Sequence, residues 1–209
     1  MTEYRIPAGY GEAEYIEKRS RFTGRVWFAE TEIEAVSRIK EMRERHWDAT
    51  HNVYGYIIKE GGIMRYSDDG EPQGTSGMPT LNVFRSEEIY NVCCVVTRYF
   101  GGTLLGAGGL VRAYTKTAKM ALESAGISVM RLWKQMLVAC SYSQYERVKL
   151  ELEVVGAVIT DTDYGADIVI TALLPEDKAE PFSLRITDLT SGTVVPETVG
   201  EEFRAVRII

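Results

Sequence analysis

The sequence predicts an α+β protein of two domains, residues 1–126 and residues 127–209, with the boundary at Gly126. Three observations carry this. A continuous apolar run, Val92-Cys-Cys-Val-Val-Thr97, has the pattern of a strand buried on both faces. It lies between two glycine-rich arms, and the second arm leads into an amphipathic helix that stops at Gly126. After that stop the pattern reads strand, helix, strand, strand, helix, strand, the order of a ferredoxin-like βαββαβ unit.

The elements follow in order. Residues 1–13 are polar, with Pro7, Gly9 and Gly11, and read as an irregular lead-in. Tyr15–Ser20 and Phe22–Ala29 alternate as two strands of a hairpin or meander. Thr31-Glu-Ile-Glu34 has the form of a capping box, and Ile33, Val36, Ile39, Met42 and His46 follow helical spacing behind it. His51–Ile58 reads as a strand, Lys59-Glu-Gly-Gly62 as a turn and Ile63–Tyr66 as a short strand. A short helix is expected over Met78–Arg85. A longer one runs from Leu110 to Ser124, with Leu110, Tyr114, Ala118, Ala121 and Ala125 inward. Its other face carries Arg112, Lys116 and Lys119 at spacings of four and three, which align them.

In the second domain Val129–Tyr142 reads as a strand. Ser143-Gln-Tyr-Glu146 has the form of another capping box, followed by an apolar stripe at Tyr145, Val148, Leu152 and Val155. Ala157–Asp163 and Ala166–Leu174 alternate as strands about a Tyr164-Gly165 turn. Pro181 fits a first helical position, with Phe182, Ile186 and Leu189 inward and Gly192 past the end. Thr193–Ile209 closes with strand character.

Composition limits the function. At 45% apolar and 26% charged residues the chain has ample material for a core, and its net charge of −6 supplies no global field that would draw in nucleic acid. Residues 1–126 hold 16 basic against 17 acidic side chains, and residues 127–209 hold 8 against 13, so the second half is the acidic one. Cys93, Cys94 and Cys140 form no C-x-x-C pair, and adjacent Cys93 and Cys94 point to opposite faces of a strand; they read as small buried hydrophobes in a reducing compartment. No apolar run resembles a signal peptide or is long enough to span a bilayer, so a cytoplasmic protein without a membrane partner is expected.

Chemistry concentrates between Ser67 and Arg112. Eight of the chain's nineteen glycines lie there: Gly70, Gly74, Gly77, Gly101, Gly102, Gly106, Gly108 and Gly109. Such density marks positive φ or close backbone approach. The second arm precedes a helix, so its backbone amides and the helix dipole form an anion site, with Arg98 at the strand end and Arg112 and Lys116 on the helix. The arm matches neither the P-loop nor the dinucleotide fingerprint, and a tight strand-to-helix connection explains the glycines equally well. Lys18, Arg19, Arg21 and Arg25 on the first hairpin form either an anion-binding patch or a solvated strand face.

Asp68, Asp69 and Glu71 in the first arm have the chemistry to hold a hard cation, or to pair with Arg98 or Arg112, or to cap the turn at Gly70. Pairing is the preferred reading, and no metal is assigned. His46 and His51 straddle a helix-to-strand turn without a ligand cluster or an identifiable nucleophile, and read as helix-end or core residues. Thr75 and Ser76 have no base in sequence, and G-T-S-G is no nucleophile elbow, so neither catalytic residue nor cofactor is assigned. Tyr54, Tyr56, Tyr66, Tyr99 and Phe100 have the chemistry of a stacking surface for single-stranded nucleic acid, although aromatics at strand spacing more often belong to a core.

The same stretch resembles a known family. Ser67-Asp-Asp-Gly-Glu-Pro-Gln-Gly-Thr-Ser-Gly-Met-Pro79 comes first. Asn91-Val, Val-Thr-Arg-Tyr-Phe-Gly-Gly102 and Leu105-Gly-Ala-Gly-Gly-Leu-Val-Arg-Ala-Tyr114 follow. Together they are similar, over a long gap-free match, to the Impact family in its bacterial form. The resemblance implies a first domain with the two-layer β/α fold of a small-subunit ribosomal protein and of elongation factor G, and a second like that factor's ferredoxin-like domains. Eukaryotic relatives restrain the kinase that senses uncharged tRNA by competing for its activator on the ribosome. No separate partner-binding domain is expected ahead of residue 15, so a contact with the ribosome or RNA is the part expected to carry over.

The family supplies no established catalytic residues. The expectation is a non-catalytic, translation-associated regulator that binds RNA or a ribosomal or translation-factor partner through the glycine-rich, basic face of the first domain. Two alternatives stand beside it: an enzyme on a phosphorylated small molecule, with Arg98, the Gly101–Gly109 amides, Arg112 and Lys116 as a phosphate cradle and Asp68 or Asp69 on a metal, and a pure protein-interaction module.

Overall fold

The computed structural model describes residues 3–208. The chain forms two compact units: Tyr4–Val129, joined by the chain end from Val206, and Met130–Ala205, joined by Glu3.

The first unit contains β1 (Tyr4–Pro7), β2 (Gly11–Glu17), β3 (Ser20–Phe28), α1 (Glu32–Arg45), β4 (His51–Ile58), β5 (Ile63–Ser67), α2 (Gly77–Ser86), β6 (Val92–Tyr99) and α3 (Ala107–Ala125). Five of these strands make an antiparallel sheet in the order β2-β3-β6-β4-β5. Its centre is the apolar run expected from the sequence. Cys94 and Val96 join Phe22, Val26, Leu81, Phe84 and Tyr114 in the core under α2 and α3. Cys93 and Val95 face the other way, into a cluster with Ala35, Ile39 and Met42 of α1. Alternation along one strand thus feeds two cores, so helices cover both faces of the sheet.

Helix α1 begins with the capping box read from the sequence. Thr31 Oγ1 accepts from the Glu34 N–H at 3.2 Å, and Glu34 Oε2 accepts from the Thr31 N–H at 3.4 Å. Helix α3 ends at Gly126, whose φ of 73° is the left-handed conformation that ends a helix without side-chain strain. The lead-in expected to be irregular over residues 1–13 departs from that where it is described, Met1 and Thr2 lying outside the described residues: Tyr4–Pro7 and Gly11–Glu17 are strands. Gly11 is there because β2 runs against α3. A Cβ at this position would sit 2.2 Å from the Ala125 nitrogen.

The second unit completes β7 (Ile127–Cys140), α4 (Tyr145–Val154), β8 (Val158–Tyr164), β9 (Ile168–Pro175), α5 (Glu176–Leu189) and β10 (Glu197–Arg207), the expected βαββαβ order. Strand β9 pairs antiparallel with β7 and β8, and β10 pairs with β7. Met136, Val138 and Cys140 of β7 and Ile168, Ile170, Ala172 and Leu174 of β9 alternate inward against Val148 and Leu152 of α4 and Phe182 and Ile186 of α5. Two local expectations are corrected. The Ser143–Glu146 box does not form, because Gln144 takes the N-cap position, without a side-chain cap, and its Oε1 accepts from Ser141 instead. Helix α5 starts at Glu176, so Pro181 lies inside it rather than at its first position.

Candidate functional site

The first glycine arm, between β5 and α2, is built around one carboxylate. Asp68 Oδ1 accepts from the backbone N–H of Gly77 at 2.8 Å and of Ser76 at 3.1 Å, and from Ser76 Oγ at 2.7 Å; its Oδ2 accepts from the Gly74 N–H at 2.8 Å. Burial alone pushes this carboxyl up, but the amides of Gly74 and Gly77 and the two groups of Ser76 outweigh it and hold it below its ordinary value. Asp69, at φ 47°, accepts from the Asn52 N–H at 2.6 Å and from Arg43 at 2.7 Å. Both carboxylates therefore serve the arm's own fold. Among the described residues no group of three or more histidines, cysteines or carboxylates is placed to hold a metal.

The third acidic residue joins the two arms. Glu71 and Arg98 form a buried ion pair at 2.5 Å, with side chains 3% and 6% exposed. Tyr114 of α3 donates to the same Glu71 oxygen at 2.8 Å. Burial first, then the Glu71 charge, pushes the Tyr114 phenol well up, so it stays a donor. Arg98 also donates to Ser20 Oγ at 3.3 Å, and Ser20 Oγ accepts the Gly101 N–H at 3.1 Å. Here the glycine is obligatory: a Cβ on Gly101 would lie 2.0 Å from the Arg19 carbonyl carbon. The β2–β3 turn, the first arm, the end of β6 and α3 are thereby fastened at one point.

The expected cations separate into two sets. Arg25 and Arg98 are buried, Arg25 bonding Glu12 at 3.0 Å and Thr97 at 3.3 Å. Arg21 lies 3.8 Å from Glu14 and over the Tyr99 ring. Lys18, Arg19, Arg112, Lys116 and Lys119 are exposed, and among the described residues none of them takes an ion pair. Lys18 and Arg19 occupy the β2–β3 turn with φ of 45° and 68°, a left-handed pair normally given to Asn-Gly. Lys18, Arg112 and Lys116 line one cleft of about 180 Å³ together with Tyr15, Glu17 and Gly109. Lys116 sits 4.3 Å above the Tyr15 ring. Lys119 lies on another flank of α3, beside Glu87.

Gly106, at φ 71°, precedes α3 without a side-chain cap, so the first amides of this 19-residue helix have no intrahelical acceptor. Gly102 likewise needs its φ of 80°, while Gly108 and Gly109 lie within the first turn. Between the two arms lies a second cleft, of about 370 Å³, which the sequence did not reveal. It holds His51 and Glu71, with Phe100 and Leu104 exposed at its rim. The five aromatics do not form one exposed stacking surface, and Tyr54 and Tyr56 belong to the core on the α1 side, as strand spacing favours. Tyr56 is buried and donates to Glu32, Tyr54 packs with the α1 core, and Tyr66 and Phe100 are half exposed.

A β/α domain carrying two interlocked glycine arms, followed by a ferredoxin-like βαββαβ domain, defines the class of two-domain α+β protein to which this chain is assigned. The family model described as the Impact N-terminal domain matches residues 18–122, and a domain of unknown function, DUF1949, matches residues 138–193. The chain is 36% identical over 183 residues to IMPACT family member YvyE of Bacillus subtilis, covering 87% of this chain and 84% of that protein. It is 29% identical over 197 residues to IMPACT family member YigZ of Escherichia coli, covering 93% and 97%. A crystal structure described as that of a hypothetical protein matches 96% of this chain and 98% of its own, with a TM-score of 0.60 and 28% identity. The chain belongs to the Impact family.

Proposed function

We propose that the protein is a non-catalytic, translation-associated regulator whose first domain binds RNA or a ribosomal or translation-factor partner. One observation carries this reading: Lys18, Arg112 and Lys116, none of them in an ion pair among the described residues, share a cleft beside the uncapped start of α3. Exposed cations that leave their charge free for a partner, on a domain whose buried cations are already neutralised, suit phosphate oxygens. Phe100 and Leu104, exposed on the adjoining arm, offer apolar contact of the kind single-stranded RNA uses. The interface is assigned to residues 1–126; residues 127–209, more acidic, take no phosphate-binding role in this reading.

The translation link comes from the family likeness, and the RNA contact from the charge placement. Capture of partners from a cell lysate, with and without nuclease treatment, tests both. The reading expects RNA-bearing ribosomal material in the untreated sample, and its loss or reduction to ribosomal or translation-factor protein after nuclease. Capture of neither RNA nor any ribosomal or translation-factor protein overturns it.

A further inference from the structure

The cleft between the two arms has a polar floor that the phosphate reading leaves unused. His51 Nδ1 lies 2.8 Å from the Asp69 carbonyl oxygen, which can only accept, so Nδ1 carries the hydrogen. In the neutral ring His51 Nε2 is then an acceptor. It faces Glu71 Oε2 at 3.8 Å, while the other Glu71 oxygen is taken by Arg98 and Tyr114. Two acceptors at this separation do not bond to one another, so donors on a ligand can meet both. Beside them Arg98, 5% exposed, has an Nε–H with no acceptor among the described residues. Two acceptors thus sit in a cleft bordered by the half-exposed Phe100 ring and by the start of α3 at Gly106 and Ala107, while the unpaired Arg98 Nε–H is itself buried in the wall.

We propose that this cleft is a subsite for one unstacked guanine nucleotide. The inference rests on the RNA reading above and gives that RNA a base preference. Guanine is the standard base whose Watson–Crick edge places two neighbouring donors, N1–H and the N2 amine, next to one acceptor, O6. Adenine, cytosine and uracil each set a lone pair where guanine has a hydrogen, and so meet Glu71 or His51 with like polarity. A site whose buried polar groups are left unpaired by the wrong ligand discriminates strongly. Phe100 supplies the stacking face, as aromatic side chains do for splayed bases. The phosphate goes to the first amides of α3. Gly106 and Ala107, at that helix start, line the same cleft as Glu71 and His51.

The test uses the full chain and a labelled pentaribonucleotide UUGUU, competed by unlabelled UUAUU, by the inosine analogue UUIUU, and by 5′-GMP and 5′-AMP. UUGUU is expected to bind roughly 10-fold more tightly than UUAUU, the size of one well-made bidentate base contact. Inosine, which lacks the N2 amine, falls between them. His51→Ala is expected to cut the preference for guanine to about the level shown by inosine, because Glu71 Oε2 still accepts from the base; Phe100→Ala, at an exposed side chain, weakens both RNAs. A thermal melt confirms that each variant is folded.

Displacement of the label by 5′-GMP but not 5′-AMP supports the subsite. Free GMP binding more tightly than UUGUU assigns the site to a free nucleotide rather than to RNA. Salt-dependent binding with equal affinity for UUGUU and UUAUU overturns the guanine subsite and leaves the RNA reading in place. Retention of the full guanine preference in His51→Ala overturns it too. If neither the RNAs nor GMP bind, the subsite and the RNA reading fall together.

Discussion

Replacing Glu71 by alanine removes the fastening between the two arms, and its cost follows from the burial. The Arg98 guanidinium is left 6% exposed with only Ser20 Oγ at 3.3 Å, and the Tyr114 hydroxyl loses its 2.8 Å acceptor. Stranding one member of a buried ion pair costs about 3–5 kcal/mol. Leaving a buried hydroxyl unpaired costs about 1–3 kcal/mol, partly the same energy because both donors share one oxygen. The expected loss is therefore about 4 kcal/mol, and for a chain of this size a Tm drop on the order of 10 °C. Denaturant melts of wild type, Glu71→Ala, Arg98→Met and the double variant Glu71→Leu/Arg98→Met measure it. The double variant replaces both charges with apolar groups of similar volume and is expected to recover at least half of the loss. If Glu71→Ala costs less than about 1 kcal/mol, the value of an exposed pair, the fastening is not buried in solution as described here.

Three further outcomes are expected. Gly101→Ala places a Cβ 2.0 Å from the Arg19 carbonyl carbon and is expected to destabilise by roughly 1–3 kcal/mol in a denaturant melt, whereas Gly9→Ala, facing open space, is near neutral. The Asp68 carboxyl titrates below its unfolded value, so its contribution to stability is complete above about pH 4 and is lost as pH falls through the folded value. The stability gap between wild type and Asp68→Asn should accordingly narrow in acid, and a gap that widens there contradicts the capping role. Burial pushes the Cys93 thiol up to about 12 and Cys94 well above its ordinary value, so thiol reagent should label neither until the protein is unfolded.

Much of the architecture was legible because local chemistry and global packing agree. The Thr31 box, the Gly126 stop and the doubly buried Val92–Thr97 run each required a single structure, and each formed it. Where alternatives were close, tertiary packing decided. Gly11 looked like a loop residue yet serves a strand because α3 leaves no room for a side chain. Ser143 and Glu146 fit a capping pattern that Gln144 displaced. At the site, a pairing of the acidic arm with Arg98 or Arg112 was readable from charge alone. Which carboxylate makes the pair was not, since it depends on the arm's path and on Tyr114 and Ser20, distant in sequence. The basic cluster on the hairpin was equally ambiguous. Strand alternation does not reveal that Arg25 is spent on Glu12 and Thr97 while Lys18, at a left-handed turn, is free. His51 gave no sequence signal beyond its residue type; its role in the cleft arises from the Asp69 carbonyl that fixes its tautomer.

If the exposed cations of the first domain hold phosphate, RNA binding must depend steeply on salt. Affinity for a single-stranded RNA, measured from low to moderate salt, should give a linear plot of log affinity against log salt, each phosphate contact adding roughly −0.7 to the slope. The double variant Arg112→Ala/Lys116→Ala keeps the fold, since both side chains are exposed and outside the buried ion pair. It should bind more weakly at low salt and with a slope shallower by about 1.4, two contacts at that increment. A double variant that binds RNA as tightly as wild type, with an unchanged slope, would show that this cleft is not where the phosphate sits.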